Sequence, residues 1–393
     1  MRVDLLTQEY PPLIFGGAGV HIEALADHLR QQMHVRVHCY GAPRAEQDVT
    51  AYRYDAGETG SSAALQALAV NISMVQAVEG ASLVHSHTWY ANFAGHLAKV
   101  LYDIPHVATT HSLERLRPWK TEQLADGYRL SSYMEATALG AADRIIAVSN
   151  AMADDIARAY QEVDPSRISV VYNGIDTALY APDRGTDHLE AHDVQPGLPI
   201  VACIARITPQ KGLDYLIQAA KDFSPDCQLV IVAIPADTVG HRERFKSAME
   251  GLRAAGVNVT WIGTPTSRAF MVQLLTHAEV LVCPSIYEPM GIVNLEAMAC
   301  STAVVGSAVG GIPEVVVEGE TGLLVPVQIA SDGSGMPVDG RIFAKEIASR
   351  VNYLLDNPGV ANSMGAAGRS RAIANFSWAA AAEDAVSIYR EVL

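Results

Sequence analysis

The sequence predicts an α/β protein built from two doubly wound domains, each a parallel sheet with helices on both faces. Three observations carry this reading. Short β-branched runs alternate with longer amphipathic stretches along the whole chain, the pattern of successive strand–helix–strand units. At 393 residues the chain exceeds what one ordinary core organises, so two domains are expected. Residues 178–199 (ALYAPDRGTDHLEAHDVQPGLP) lose all periodicity and collect Pro, Gly, Asp and His, which marks a linker between halves of similar size.

In order along the first half, strands are expected at 2–6 (RVDLL), 34–39 (HVRVHC), 82–86 (SLVHS), 106–110 (HVATT), 144–148 (RIIAV) and 168–172 (ISVVY). The second half offers 199–204 (PIVACI), 228–234 (QLVIVAI), 257–262 (VNVTWI), 279–283 (EVLVC), 303–306 (AVVG) and 322–325 (GLLV). Helical periodicity fills 18–32, 61–79, 210–221 and 341–356, and the irregular stretch 328–340 (QIASDGSGMPVDG) reads as a surface loop. The boundary is placed after residue 182, giving domains 1–182 and 183–377. Sheets of this kind bind ligands beyond the carboxyl ends of their strands, so two of them should face each other across a cleft with the active residues just after strands.

Composition narrows the partners. With 49% hydrophobic and 18% charged residues the chain can bury two large sheets. A net charge of −15 argues against nucleic acid or an anionic membrane, which need clustered cations, but leaves room for a small anion held by two or three local ones. The five cysteines (Cys39, Cys203, Cys227, Cys283, Cys300) are odd in number and form no Cys-x-x-Cys pair. They read as small buried hydrophobes in a reducing cytoplasm, not as a disulfide or zinc framework. The start MRVDLLTQEYPP is too short in apolar residues for a signal peptide, and no stretch approaches a membrane span.

Several motifs fall where the topology wants them. After the first strand, Gly16, Gly17 and Gly19 lead into a helix, either as a flexible loop or as an anion site made of free N–H groups at a positive dipole end. The spacing does not make a dinucleotide fingerprint, since its third glycine would fall at Ile22. Arg206 ends the first strand of the second half, and Lys211 with Gly212 follows a Thr-Pro turn. This is either a solvated turn or a pair of cations for a diphosphate. His111 follows a strand directly, as a structural residue or a site residue. His85 and His87 stand together at another strand end, but a zinc reading needs more ligands than the sequence places nearby. Glu288 and Glu296 flank the turn between EVLVCPS and IVNLEAMA. A carboxylate is costly to bury unpartnered. Two of them beside Arg206 and Lys211 suit the hydroxyls of a nucleotide sugar better than the pair of a glycosidase, which must flank one bond.

This combination resembles the retaining nucleotide-sugar glycosyltransferases of the GT-B fold: Glu288-x7-Glu296, Arg206 with Lys211-Gly212, the Gly16-Gly17 loop, His111, and NGID at 173–176. LTQEYPPLIFGGAGVHIEALA and THSLERLRPWK are similar to the short actinobacterial glycogen synthase and maltose-1-phosphate synthase group. Longer bacterial glycogen synthases carry a lysine just before the Gly-Gly, where this chain has Phe15. The resemblance implies two Rossmann-like domains, with helix 378–393 crossing back onto the first. It also implies a hexosyltransferase moving α-glucose from ADP-glucose without a cofactor or metal. In that reading Arg206 and Lys211 bind the departing diphosphate, Glu288 the glucose, Glu296 the ribose and Gly16, Gly17 and Gly291 the donor, while His111 contacts the sugar.

The acceptor is expected to be glucose 1-phosphate. Arg115, Arg117 and Lys120 form a basic cluster that could receive its phosphate, while Trp89, Tyr90, Trp119 and Tyr133 could supply aromatic faces for sugar. Glycogen ends are the alternative acceptor, and the assembly is compatible with a homodimer. From other classes, a two-lobed sugar-binding protein or a sugar-nucleotide epimerase remains open, separated by whether ADP is released only when an acceptor is present.

Overall fold

The computed structural model describes residues 1–53, 62–125, 127–236 and 238–393. The chain divides into two compact units, Met1–Gly174 with Trp378–Leu393, and Ile175–Ser377.

The first unit holds β1 (Arg2–Leu6), β2 (His34–Tyr40), β3 (Val49–Tyr52), β4 (Leu83–His87), β5 (His106–Thr110), β6 (Arg144–Ala147) and β7 (Ile168–Val170) in the order β3-β2-β1-β4-β5-β6-β7. The second holds β8 (Ile200–Ile207), β9 (Gln228–Ala236), β10 (Val259–Ile262), β11 (Ala278–Cys283), β12 (Ala303–Ser307) and β13 (Gly322–Val325) in the order β10-β9-β8-β11-β12-β13. Every pairing is parallel. Both are doubly wound α/β sheets. In each, the chain runs outward from the first strand and then returns to its other side, which creates a switch point between β1 and β4 and another between β8 and β11.

The alternation of apolar runs locates twelve strands to within three residues at each end. β3, the short edge strand VTAY, is absent from that reading. Only Val49 of its four residues is buried, so it carries no sustained apolar run. The helix expected over 210–221 is broken. Pro209–Lys211 forms a tight 3₁₀ turn, Gly212 adopts a left-handed conformation, and the helix proper is Leu213–Ala219. The helix expected over 61–79 is seen as Ala63–Ala77, residue 61 lying outside the described residues.

The unit boundary falls after Gly174, eight residues before the expected position. The reason is hydrogen bonding: Ile175 N–H donates to Phe376 O (3.0 Å), and Arg369 donates to the carbonyls of Tyr180 (3.2 Å) and Thr177 (3.4 Å). These tie the start of the linker to the second unit. Helix Trp378–Val392 returns to the first unit and packs on helix Gly17–Arg30. There Trp378, Val386 and Tyr389 share a core with Val3, Leu5, Ile22 and Leu25. No helix among the described residues is long and apolar enough to cross a membrane.

Candidate functional site

In the second unit the switch point gathers Arg206, near the end of β8, the 3₁₀ turn with Lys211, and the segment Ser285–Gly291 after β11. Gly212 makes the close approach feasible. Its φ is +62°, and a β-carbon there would run into the carbonyl oxygen of Pro284. Lys211 Nζ lies 2.6 Å from Glu288 Oε2, and Ser285 Oγ donates to the same oxygen at 2.8 Å. Glu288 is 6% exposed, so its buried carboxylate has the charged partner and hydrogen bond that burial demands. Its Oε1 receives no hydrogen bond among the described residues. The Glu288 backbone is braced as well. Gly311 N–H donates to its carbonyl (2.9 Å), and Gly310, at φ +52°, leaves no room for a β-carbon against it.

Gly291 caps helix Ile292–Ala299, and Glu296 sits half-buried on that helix. The Tyr180 hydroxyl bonds to Glu296 and Arg268 lies in its field, yet burial prevails and pushes the carboxyl up to about 7. Asn294, two residues before Glu296, is fully buried with both amide atoms unpartnered. Sequence reasoning passed over it, although an asparagine inside the apolar run IVNLEAMA was the available signal.

In the first unit the switch point collects histidines. His21 lies on the helix after β1, His87 ends β4 and His111 follows β5. His87 Nδ1 and His111 Nε2 are 3.2 Å apart, and the rings of His21 and His111 meet edge-on with centroids at 4.7 Å. His21 Nδ1 is held by Asn173 Oδ1 at 2.7 Å. His85 contacts His87 at 4.2 Å between centroids, but both its nitrogens are engaged, by Tyr389 Oη (2.6 Å) and Thr109 Oγ1 (2.7 Å). Burial first, and then the neighbouring imidazoles, hold His85, His87 and His111 well below the usual histidine range. Burial lowers His21 to about 4. At neutral pH the cluster is uncharged, so His111 offers a neutral imidazole. His21 was missed from sequence because it sits inside an ordinary amphipathic helix pattern.

Gly16 and Gly17 start helix Gly17–Arg30 with Gly16 as its cap. The N–H groups of Phe15 and Gly16 donate to Glu9 Oε2 at 2.7 and 2.9 Å, so an internal carboxylate already holds part of the expected anion site. The amides of Gly17 and Ala18 have no partner among the described residues.

The basic cluster proves to be internally engaged. Arg115 lies over the Tyr160 ring (4.4 Å) and pairs with Glu162 (3.2 Å). Arg117 is buried against the carboxylate of Glu114, and Lys120 is buried and bonded to Gln123. Under this segment Glu114 N–H donates to Glu135 Oε2 (2.7 Å), Tyr160 donates to the same oxygen, and Ser131 donates to Glu114 (2.9 Å). Arg117 and Lys120 therefore anchor their segment, while Arg115 stays exposed in its pair with Glu162. Trp89 is likewise 1% exposed and stacked on half-buried Tyr90 at 4.0 Å, so it offers no open face. Trp119 is half-buried, and Tyr133 is 62% exposed.

Two parallel switch points, one with a lysine-braced glutamate eight residues before a second glutamate, define a nucleotide-sugar glycosyltransferase of the GT-B class. Residues 15–179 match Glycosyltransferase Family 4 and residues 186–371 match Glycosyl transferases group 1, and the chain belongs to this family. It is 48% identical over 395 residues, covering 100% of both chains, to the alpha-maltose-1-phosphate synthase of Mycolicibacterium smegmatis, and 47% identical over the same span to that of Mycobacterium tuberculosis. Among solved structures it resembles sucrose-phosphate synthase from Thermosynechococcus elongatus (TM-score 0.80, 24% identity, 99% and 98% coverage). It also resembles Anabaena HepE in complex with UDP and glucose (TM-score 0.78, 21% identity, 100% of both chains).

Proposed function

We propose that this chain is a retaining glucosyltransferase that moves glucose from ADP-glucose to glucose 1-phosphate, forming α-maltose 1-phosphate. The observation that carries this is the 48% identity running the full length of both chains to an alpha-maltose-1-phosphate synthase. The basic cluster lends it no support, since Arg115, Arg117 and Lys120 are committed internally, and the acceptor assignment rests on the relatives.

In this reading the bond between the glucose anomeric carbon and the β-phosphate oxygen breaks as the bond to the acceptor 4-oxygen forms on the same face. The acceptor proton passes to the departing phosphate. Arg206 and Lys211 stabilise charge growing on that phosphate. Glu288 Oε1 accepts from a glucose hydroxyl while Oε2 stays tied to Lys211 and Ser285. Glu296 accepts from the ribose, and neutral His111 contacts the transferred sugar. The chemistry asks for no metal.

The test is a competition at matched concentrations of glucose 1-phosphate and glycogen chain ends, reading ADP release and the product's linkage by NMR. Maltose 1-phosphate as the main product is expected. Faster glycogen elongation with inert glucose 1-phosphate would overturn the acceptor, and ADP-glucose turnover without any acceptor would overturn the transferase reading.

A further inference from the structure

Among the described residues, His21, His87 and His111 are the one group of three metal-ligating side chains whose ligand atoms all lie within 4.8 Å of one another. They come from three elements brought together by the β1/β4 switch point, the helix after β1, the end of β4 and the segment after β5. Several features suit an ion. The Nε2 atom of His21 is buried without a hydrogen-bond partner, a condition that costs stability unless something fills it. Asn173 Oδ1 accepts at His21 Nδ1 (2.7 Å), which fixes the proton there and leaves the lone pair on Nε2, as an outer carbonyl does for metal-bound histidine. The 3.2 Å between His87 Nδ1 and His111 Nε2 is close to the separation of about 3.3 Å between two nitrogens on one tetrahedral zinc, given bonds of about 2.0–2.1 Å. His85 is not a ligand, because both its nitrogens are taken.

We propose that His21, His87 and His111 form a site for one borderline divalent transition-metal ion, and that the bound ion blocks glucosyl transfer by occupying His111. The ion is an inhibitor, not a cofactor: imidazole nitrogen suits zinc, nickel, cobalt or copper and not magnesium. The blocking half rests on the transferase reading above; the binding half does not.

Zinc is the probe, titrated into purified chain stripped with chelator. The expected result is one zinc per chain, a dissociation constant raised more than tenfold in His21→Gln and in His87→Gln, and no change in His34→Gln, whose ring is exposed. Wild-type ADP release should fall in step with occupancy and recover with chelator. Should the variants misfold, cobalt on the wild type decides. Strong visible bands of low coordination number without a thiolate charge-transfer band are expected, and the weak spectrum of six-coordinate cobalt sinks the site. Absence of stoichiometric binding, unchanged affinity in both folded variants, or zinc-loaded enzyme with full turnover each overturns the proposal. If zinc-free chain releases no ADP at all, the transferase reading fails, and the titration alone judges the site.

Discussion

Lys211 Nζ and Glu288 Oε2 stand 2.6 Å apart, 77 residues separated in sequence and joined across the β8/β11 switch point. The pair makes the lysine a fixed charge, held by the carboxylate that also faces the sugar in the proposed reaction. If Arg206 and Lys211 stabilise the departing diphosphate, Arg206→Ala and Lys211→Ala each lower kcat by about 10²–10³, the loss of roughly 3–4 kcal/mol, with smaller changes in KM. Near-normal turnover in either variant removes that residue from the mechanism.

Glu296 titrates in the working range, its carboxyl raised by burial to about 7. Its ionised form is the better acceptor for ribose hydroxyls, so donor KM should fall as pH rises from 6 to 8 while kcat moves little. Tyr180 opposes the shift by hydrogen bonding to the carboxylate, so Tyr180→Phe moves the midpoint upward. A donor KM flat across that range, in the wild type and in the variant, removes the ribose role.

Glu135 couples pH to stability. Burial, then the Glu114 charge, raises it to about 8. The unfolded carboxyl ionises near 4.5 while the folded one keeps its proton to about 8, so stability declines as pH climbs through that window and is flat above it. Glu135→Gln keeps the shape without the titration. Its melting temperature should meet or exceed the wild type's at pH 9, with a shallower slope between pH 5 and 8.

Gly212→Ala places a β-carbon at φ +62° against the Pro284 carbonyl. Such a substitution costs more than about 1 kcal/mol and pushes the Lys211 turn away from Glu288. Chemical denaturation of the variant should show the stability loss, and kcat should fall with it. A fully stable, fully active alanine variant contradicts the packing described.

The proposed reaction uses no metal, so EDTA leaves ADP release unchanged or, where the preparation carries zinc, increases it. Loss of activity with EDTA, restored by a divalent ion, is the opposing result.

The sheets were legible because buried parallel strands must be nearly continuous apolar runs, as in IVAC and LVIVA. β3 was not, since it lies at an edge with one buried residue in four. Among candidate site residues, Glu288 and Lys211 stood out because charge beside turn formers after a strand has few structural reasons to be there. Their mutual contact did not, because spacing along the chain does not say which cation meets which carboxylate. The pairings of Arg115, Arg117 and Lys120 were hidden for the same reason. Glu114 and Gln123 lie three residues from Arg117 and Lys120, but Glu162 lies 47 from Arg115, and only packing shows which charges are taken up within the chain.

Helix Trp378–Val392 completes the first unit although the entire second unit is translated between them. At synthesis rates of about 5–20 residues per second, Met1–Gly174 waits on the order of 10–40 s for it. Throughout that interval Val3, Leu5, Ile22 and Leu25 lack part of their cover, and His85 lacks the Tyr389 hydroxyl that holds its Nδ1. A nascent chain of this protein is therefore a client for whatever shields apolar surface at the ribosome. Its histidine wall is finished only when the final helix arrives.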